Sequence, residues 1–233
     1  MLILHGYEIS PYSDKVRRAL RLKGLAFQTN EIIVSKAGKA KHISPTGKFP
    51  VLDTPEGRIV DSSDILRWLD RAHPVPPLRP DNARDAALAD ILEDWADESL
   101  YFYDLSMRTW PHNREWFLKD LLHHEPAGLM RTILTRAIPG ALSKVARTQG
   151  LGRKSEKTIV ADLTVLYDAL SALLTDNDWL AGPRLSHADL AVRVMLNVLD
   201  RTREGRSLRN ARPALDAWCT RVDIAAPPKG ISA

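Results

Sequence analysis

Three short stretches in the first third of the chain carry groups suited to holding anions and cations of a small ligand. Ser10-Pro11-Tyr12-Ser13 lies where a strand and loop signal meets a helix signal. A helix start presents unpaired N–H donors and the positive end of its dipole, so it favours a nearby anion. Lys48-Phe49-Pro50-Val51-Leu52 enters a strand, and a cis bond before Pro50 would leave the Phe49 backbone turned outward. Asp61-Ser62 opens another helix, where N–H groups and a serine can hold a carboxylate and Asp61 can receive an ammonium group. Taken singly, capping and turn chemistry account for each stretch. As an ordered set they are specific.

The elements that must position them are legible in the periodicity. Leu2-Ile3-Leu4 suits a buried strand. Ser10-Pro11 starts a helix with Val16, Ala19 and Leu20 at helical spacing, and Gly24 stops it. Phe27 to Val34 reads as a second strand and residues 35–48 as a loop. Val51-Leu52 and Arg58-Ile59-Val60 flank Thr54-Pro55-Glu56-Gly57 and form a hairpin. Ser62 or Ser63 then caps a helix carrying Ile65, Leu66, Trp68 and Leu69. The order is β-α-β-loop-β-β-α. Pro74, Pro76, Pro77 and Pro80 make residues 73–80 an extended linker, dividing a mixed α/β domain, 1–78, from a helical domain, 79–233. From Asn82 to about Trp218 the patterns are mostly helical, with breaks expected at Pro111, Pro126, Pro139-Gly140, Gly150-Leu151-Gly152 and Gly182-Pro183. Residues 225–233 are expected to fray.

At 233 residues and 44% apolar composition the chain can build two cores. Its apolar runs are too short to span a bilayer, and MLILHGYEIS lacks the features of a secretory leader. One cysteine, Cys219, excludes an internal disulfide framework, a cysteine-rich zinc site and a two-cysteine redox motif; a cytoplasmic location and no metal are expected. The net charge of +4 sits in residues 1–78, with 12 basic against 8 acidic side chains, while 79–233 balance. Lys15, Arg17, Arg18, Arg21 and Lys23 suggest a solvated helix face, and Lys36, Lys39, Lys41 and Lys48 a basic loop. A small anion is a possible partner; nucleic acid is disfavoured because these segments hold almost no aromatics for stacking.

The β-α-β-loop followed by "GKFPVL" and "VDSSDIL", the proline-rich linker and the helical remainder resemble the glutathione S-transferases from Leu2 to about Val222. Ser186-His187-Ala188-Asp189 matches a capped folding helix of that family and is close to a capping box in its own right. The resemblance implies a thioredoxin-like first domain, an all-helical second domain, glutathione as co-substrate, a small hydrophobic electrophile and a homodimer. Ser10-Pro11-Tyr12 is similar to the omega-class Cys-Pro-Phe motif with serine for cysteine, and to the Ser-Pro-Tyr of bacterial and fungal transferases, β-aryl ether-cleaving ones included. This makes Ser10 the expected thiol-activating residue, with Tyr7 and Ser13 as rivals. By the same resemblance Phe49 and Pro50 match the positions holding the cysteinyl part, Asp61 and Ser62 those at the γ-glutamyl end, and Lys48 and His42 those reaching the glycyl end. Phenylalanine at 49, where the family usually has valine, and Asp64, where it often has a small residue, are departures.

A serine cannot form a mixed disulfide, so conjugation or glutathione-dependent ether or halide cleavage is expected over disulfide exchange. A ligand carrier without turnover is the alternative class. Trp95, Tyr101, Phe102, Tyr103 and Trp110 are candidates for the electrophile's apolar wall, although such residues are commonly core.

Overall fold

The computed structural model describes residues 1–228. Strands β1 (Leu2–Gly6), β2 (Phe27–Glu31), β3 (Val51–Thr54) and β4 (Gly57–Val60) form one sheet in the order β2-β1-β3-β4. Helix α1 (Pro11–Leu22) carries the chain from β1 to parallel β2, and the hairpin makes β3 antiparallel to β1 and to β4. The register pairs His5 with Val51 and Val51 with Val60. One step further along, Gly6, Pro50 and Asp61 are therefore neighbours at the same end of the sheet, where α1 and α2 (Ser62–Ala72) begin.

The mixed first part followed by helices is as the sequence implies, with local corrections. Strand β2 stops at Glu31 rather than Val34, because Ile32 turns inward against Ala40, Ile43 and Val51 while its N–H donates to Gly6 O. Much of the expected loop is a 3-10 helix, Val34–His42. The cap of α2 is Asp61, not a serine: its carboxylate accepts from the N–H groups of Ser63 and Asp64, and Ser62 is the first helical residue.

The larger correction concerns charge. Helix α1 does not present a solvated basic face. Lys15 and Arg18 are fully buried and Arg17 and Lys23 nearly so, and each is paired. Arg18 bonds Asp14, Asp223 and Ala226 O; Lys23 bonds Asp70, His73 O and Pro76 O; Arg21 holds Pro227 O. These cations tie the linker and the chain's end to α1, so residues 226 and 227 are held rather than frayed; 229–233 lie outside the described residues.

Beyond the linker come α3 (Ala83–Trp95), a π turn (Ala96–Leu100), α4 (Tyr101–Met107), α5 (Arg114–Leu121), α6 (Leu129–Gln149) and α7 (Glu156–Leu173). Helices α8 (His187–Leu199), α9 (Arg203–Asn210) and α10 (Pro213–Ala225) follow. Helix α6 runs through Pro139-Gly140 instead of breaking there. The carbonyl that Pro139 leaves without its helical donor belongs to Thr135, which is exposed, so water can satisfy it. The apolar residues of α1, α2, α3, α7, α8 and α10 join in one core that includes Leu4, Val16, Leu69, Leu92, Leu163 and Trp218. At its centre Asp189 accepts from Leu180 N–H, from the N–H and hydroxyl of Ser186 and from Trp218 Nε1, the expected capping box extended by two tertiary bonds.

Candidate functional site

Ser10 is the N-cap of α1, and Pro11 occupies the first helical position. Its hydroxyl accepts from Ser13 N–H at 3.4 Å, a long and weak bond that leaves the hydroxyl hydrogen free to donate. The loop before it is anchored by Arg17, whose guanidinium donates to Tyr7 O at 3.0 Å and Glu8 O at 3.1 Å. Tyr7 is half-buried with its ring edge-on to Phe49, centroids 5.7 Å apart, and burial, aided by Glu31, pushes its phenol above the ordinary range. Ser13 is fully buried and its Oγ has no partner. It presses on Gly6, where an added Cβ would come within 2.3 Å of that Oγ and 3.9 Å of Pro50 Cα. Gly6 is thus required for α1 to approach β1 beside Pro50.

The Phe49-Pro50 bond is cis, with Phe49 half-buried and Pro50 buried. Lys48 is exposed, its carbonyl accepting from Ser44 Oγ at 2.6 Å. Asp61 is exposed and, among the described residues, the non-glycine one with positive φ, at 86°. That strained backbone aims its side chain back over the first turn of α2, and strain of this kind collects at ligand clamps. Because Asp61 takes the N–H groups of Ser63 and Asp64, a ligand carboxylate would address Ser62. Sheet register and helix starts thus bring Ser10, Phe49, Pro50, Asp61 and Ser62 to one end of the sheet. His42 stands elsewhere: it is exposed at the end of the 3-10 helix, its carbonyl held at 2.8 Å by Arg58 near the hairpin turn.

A buried ionic cluster behind this edge escaped the sequence reading. Lys15 Nζ contacts Glu93 at 2.9 Å, Asp97 at 2.5 Å and Ser63 Oγ at 3.4 Å, while Ser63 Oγ donates to Glu93 at 2.9 Å. Tyr12 of the Ser-Pro-Tyr stretch donates to Asp97 O at 2.7 Å, inside the π turn. The cluster therefore fixes the starts of α1 and α2 against α3. Burial raises Asp97, Glu93 and Asp61 raise it further and Lys15 opposes them, leaving its carboxyl at about 6. Burial also pushes Glu93 upward, but Lys15 and Ser63 outweigh it and hold Glu93 below the usual range, so the first proton goes to Asp97. The signal was present: Pro11, Lys15, Arg18 and Ala19 share one face of α1, placing two cations among residues that must face inward.

Of the aromatic wall, Tyr103 and Trp110 are buried in the core and Trp95 packs partly against it. Tyr101 and Phe102 are half-buried, and the Tyr101 ring lies tilted against that of Tyr12 with centroids 5.1 Å apart. Cys219 is buried among α10 residues, and burial pushes its thiol up to about 11. Among the described residues no group of three or more His, Cys, Asp or Glu side chains is placed to hold a metal, and no helix is long and apolar enough to cross a membrane.

The chain is similar to known proteins in both of its parts. The glutathione S-transferase N-terminal domain family matches residues 4–77, and the C-terminal domain family matches residues 141–223. A glutathione S-transferase of Pseudomonas putida is 35% identical over 95 residues, 40% of this chain and 43% of that protein, so the match spans less than half of that relative's length. The FtsZ-localized protein A of Caulobacter vibrioides is 29% identical over 202 residues, covering 84% of this chain and 76% of its own. The fold is shared with a crystal structure of a glutathione S-transferase from Rhodospirillum rubrum, TM-score 0.66 at 23% identity over 96% of this chain and 88% of that one. With both domain families matched in order and the cis-proline and capped helix starts in place, the chain belongs to the glutathione S-transferase family.

Proposed function

We propose that the chain binds glutathione at this end of the sheet and activates its thiol with the Ser10 hydroxyl for attack on a small apolar electrophile. The observation that carries this reading is the meeting of the Ser10-capped start of α1, the cis Phe49-Pro50 bond and strained Asp61 on adjacent strands. Phe49 would pair its backbone with the cysteinyl unit beside Pro50. Asp61 would take the γ-glutamyl ammonium and Ser62 its carboxylate, with Lys48 and, more remotely, His42 reaching the glycyl end. Ser10 donates to the sulfur, and the free N–H groups of α1 add their dipole. Tyr7 is the weaker candidate, since its raised phenol is a poorer donor and its ring is committed to Phe49; Ser13 faces Gly6 rather than solvent.

The thiolate then attacks the electrophilic carbon, the protein contributing position and charge stabilisation. Conjugation and β-aryl ether cleavage share this step and are separated by assaying aryl ethers beside chloronitrobenzene-type substrates. In this proposal residues 1–78 form the glutathione-binding domain and 79–233 the helical domain of a cytoplasmic homodimer. A second reading, binding or interaction without turnover, draws on the likeness to a protein named for its localisation with FtsZ. It also draws on the bridge from His124 to Glu8 at 2.5 Å, which brings the helical part onto the Tyr7–Ser10 loop. Calorimetry with glutathione followed by turnover assays separates the two: binding with turnover supports the transferase, whereas binding without turnover, or no binding at millimolar glutathione, supports the second reading.

A further inference from the structure

Whole-domain charge conceals a strongly basic segment in the helical part. Residues 126–155 contain six cations, Arg131, Arg136, Lys144, Arg147, Arg153 and Lys154, and no Asp or Glu. Helix α6 occupies most of this stretch. Its outward stripe is Leu129, Ile133, Arg136, Gly140, Lys144 and Arg147, spaced three and four residues apart as one helix face requires. Among the described residues Lys154 alone of the six cations has a carboxylate partner, Asp162. Arg131 and Arg153 reach only the carbonyls of Glu125 and Arg147. Lys144, Arg147 and Arg153, with Ser143, Thr148 and Gly140, line an open groove of about 530 Å³. Such a concentration of like charge, with one carboxylate partner among six cations, raises the local potential and calls for an anionic counterpart.

The same helix exposes bulky apolar side chains. Leu129 is 77% exposed, Met130 52%, Ile133 48% and Val145 49%, four of the nine large apolar residues exposed in the described chain. Exposed cations beside protruding apolar side chains, on a helix lying along the surface, suit a layer of anionic headgroups over an apolar interior. The stripe from Leu129 to Arg147 is about 27 Å long at 1.5 Å per residue, enough to touch several headgroups. Nucleic acid fits less well, because no Phe, Tyr or Trp lies between Phe117 and Tyr167 to stack on bases. A second copy of the chain could offer the exposed acidic strip that runs from α3 into the π turn, Asp94 and Glu98, but that strip brings Ile91 as its one exposed large apolar partner for four.

We propose that α6 and the turn following it form a docking surface for an anionic lipid bilayer, on which the chain rests peripherally. This contact is independent of the glutathione site. Long Lys and Arg stems let their charges stay at headgroup level while Leu129, Met130 and Ile133 enter the interface. Apolar runs too short to span a bilayer do not bear on this contact, since a surface helix lies in the interface plane.

The test is co-sedimentation of the full chain with vesicles of phosphatidylcholine alone or with about one-third phosphatidylserine, near 0.1 M salt. Binding is expected to the mixed vesicles, falling as salt rises, and not to phosphatidylcholine alone. Lys144→Ala with Arg147→Ala should weaken partitioning about thirtyfold, the effect of two surface cations. Leu129→Ser with Ile133→Ser should weaken it comparably. Lys36→Ala with Lys41→Ala, which removes as much charge from another surface, should leave it within a factor of about three if each distant cation contributes only a screened field. Thermal melting and glutathione titration of every variant confirm an intact fold, or intact folding alone should glutathione not bind. Equal binding to both vesicle types, no binding at millimolar lipid, or equal losses from the two lysine-and-arginine sets would overturn the proposal. So would α6 variants that change oligomeric mass but not vesicle binding, or saturable binding of inorganic pyrophosphate without vesicle binding; these assign the groove to a second copy or a soluble anion.

Discussion

Replacing Ser10 by alanine separates its two roles. As the N-cap it accepts one bond, from Ser13 N–H at 3.4 Å. Loss of so long a bond should cost about 0.5 kcal/mol, the low end for a cap. As donor to a bound thiolate it would supply about 1.5–3 kcal/mol, the range for a hydrogen bond to a charged group. That energy corresponds to about one to two pKa units. The dipole and N–H groups of α1 remain in the variant and retain about 0.3–1 kcal/mol. Bound glutathione in Ser10→Ala should therefore keep nearly its affinity but ionise one to two units higher, moving from near 7 toward the free-thiol value of about 8.5. Thiolate absorbance of the binary complex near 240 nm, titrated against pH, reads this shift directly. Turnover should fall about ten- to a hundredfold below the lower pKa and recover in alkali. Urea melts measure the cap separately. An unchanged thiol pKa in Ser10→Ala, with the shift appearing in Tyr7→Phe, would refute the assignment, and an unchanged value in both variants would leave activation to the backbone alone.

Three other perturbations probe the frame around this site. Gly6→Ala places a Cβ 2.3 Å from Ser13 Oγ and should destabilise by about 1–3 kcal/mol; urea melts should show most of that recovered by Ser13→Ala in the same chain, and full additivity would contradict the contact. Asp189→Ala strands the Leu180 and Ser186 N–H groups and Trp218 Nε1 inside the core. It should cost at least about 3 kcal/mol, since each buried orphan donor costs about 1–3; a loss below 1 in chemical denaturation would mean water reaches them. Asp97 sits at about 6 against an ordinary 3.8, so the folded chain holds an extra proton between those values. That stabilising contribution is complete below 3.8 and is lost as pH rises through 6. The stability of the native chain relative to Asp97→Asn should accordingly decline from pH 4 to 7, and a flat or rising difference would show that Asp97 is not so shifted.

Much of the site was legible because its parts are local. A serine followed by proline, a phenylalanine before proline at a strand entry and an acid-serine pair before an apolar helix are each readable within a few residues. Their convergence needed the register of β1, β3 and β4: the Pro55-Gly57 turn pairs β3 with β4, but the pairing of β1 with β3 is set only in the folded sheet. The cap of α2 falls one or two residues before the serines expected to supply it, because either polar type can cap. The outcome depends on Asp61 adopting a positive φ at the end of β4.

Charge was the least legible property. Summed over a domain, α1 looked solvated and the helical part neutral, yet the α1 cations are buried partners of Glu93, Asp97, Asp223 and Asp70, while the acid-free α6 segment is the exposed one. Sequence counts charges; it does not tell which face turns inward when the same helix must pack on both the sheet and α8. Carboxylates far along the chain decide that.

By itself, then, the order of residues determined the strand and helix types, the capped helix starts and the family to which they belong, because hydrophobic period, proline and glycine act over a few positions. Only the folded chain decided where the positive charge goes, that Ser13 lies sealed under Gly6 while Ser10 caps the edge, and that Lys15 locks two helix starts to the end of a third helix. Those outcomes depend on which distant groups share a buried, low-dielectric space, where an unpaired charge is too costly to persist.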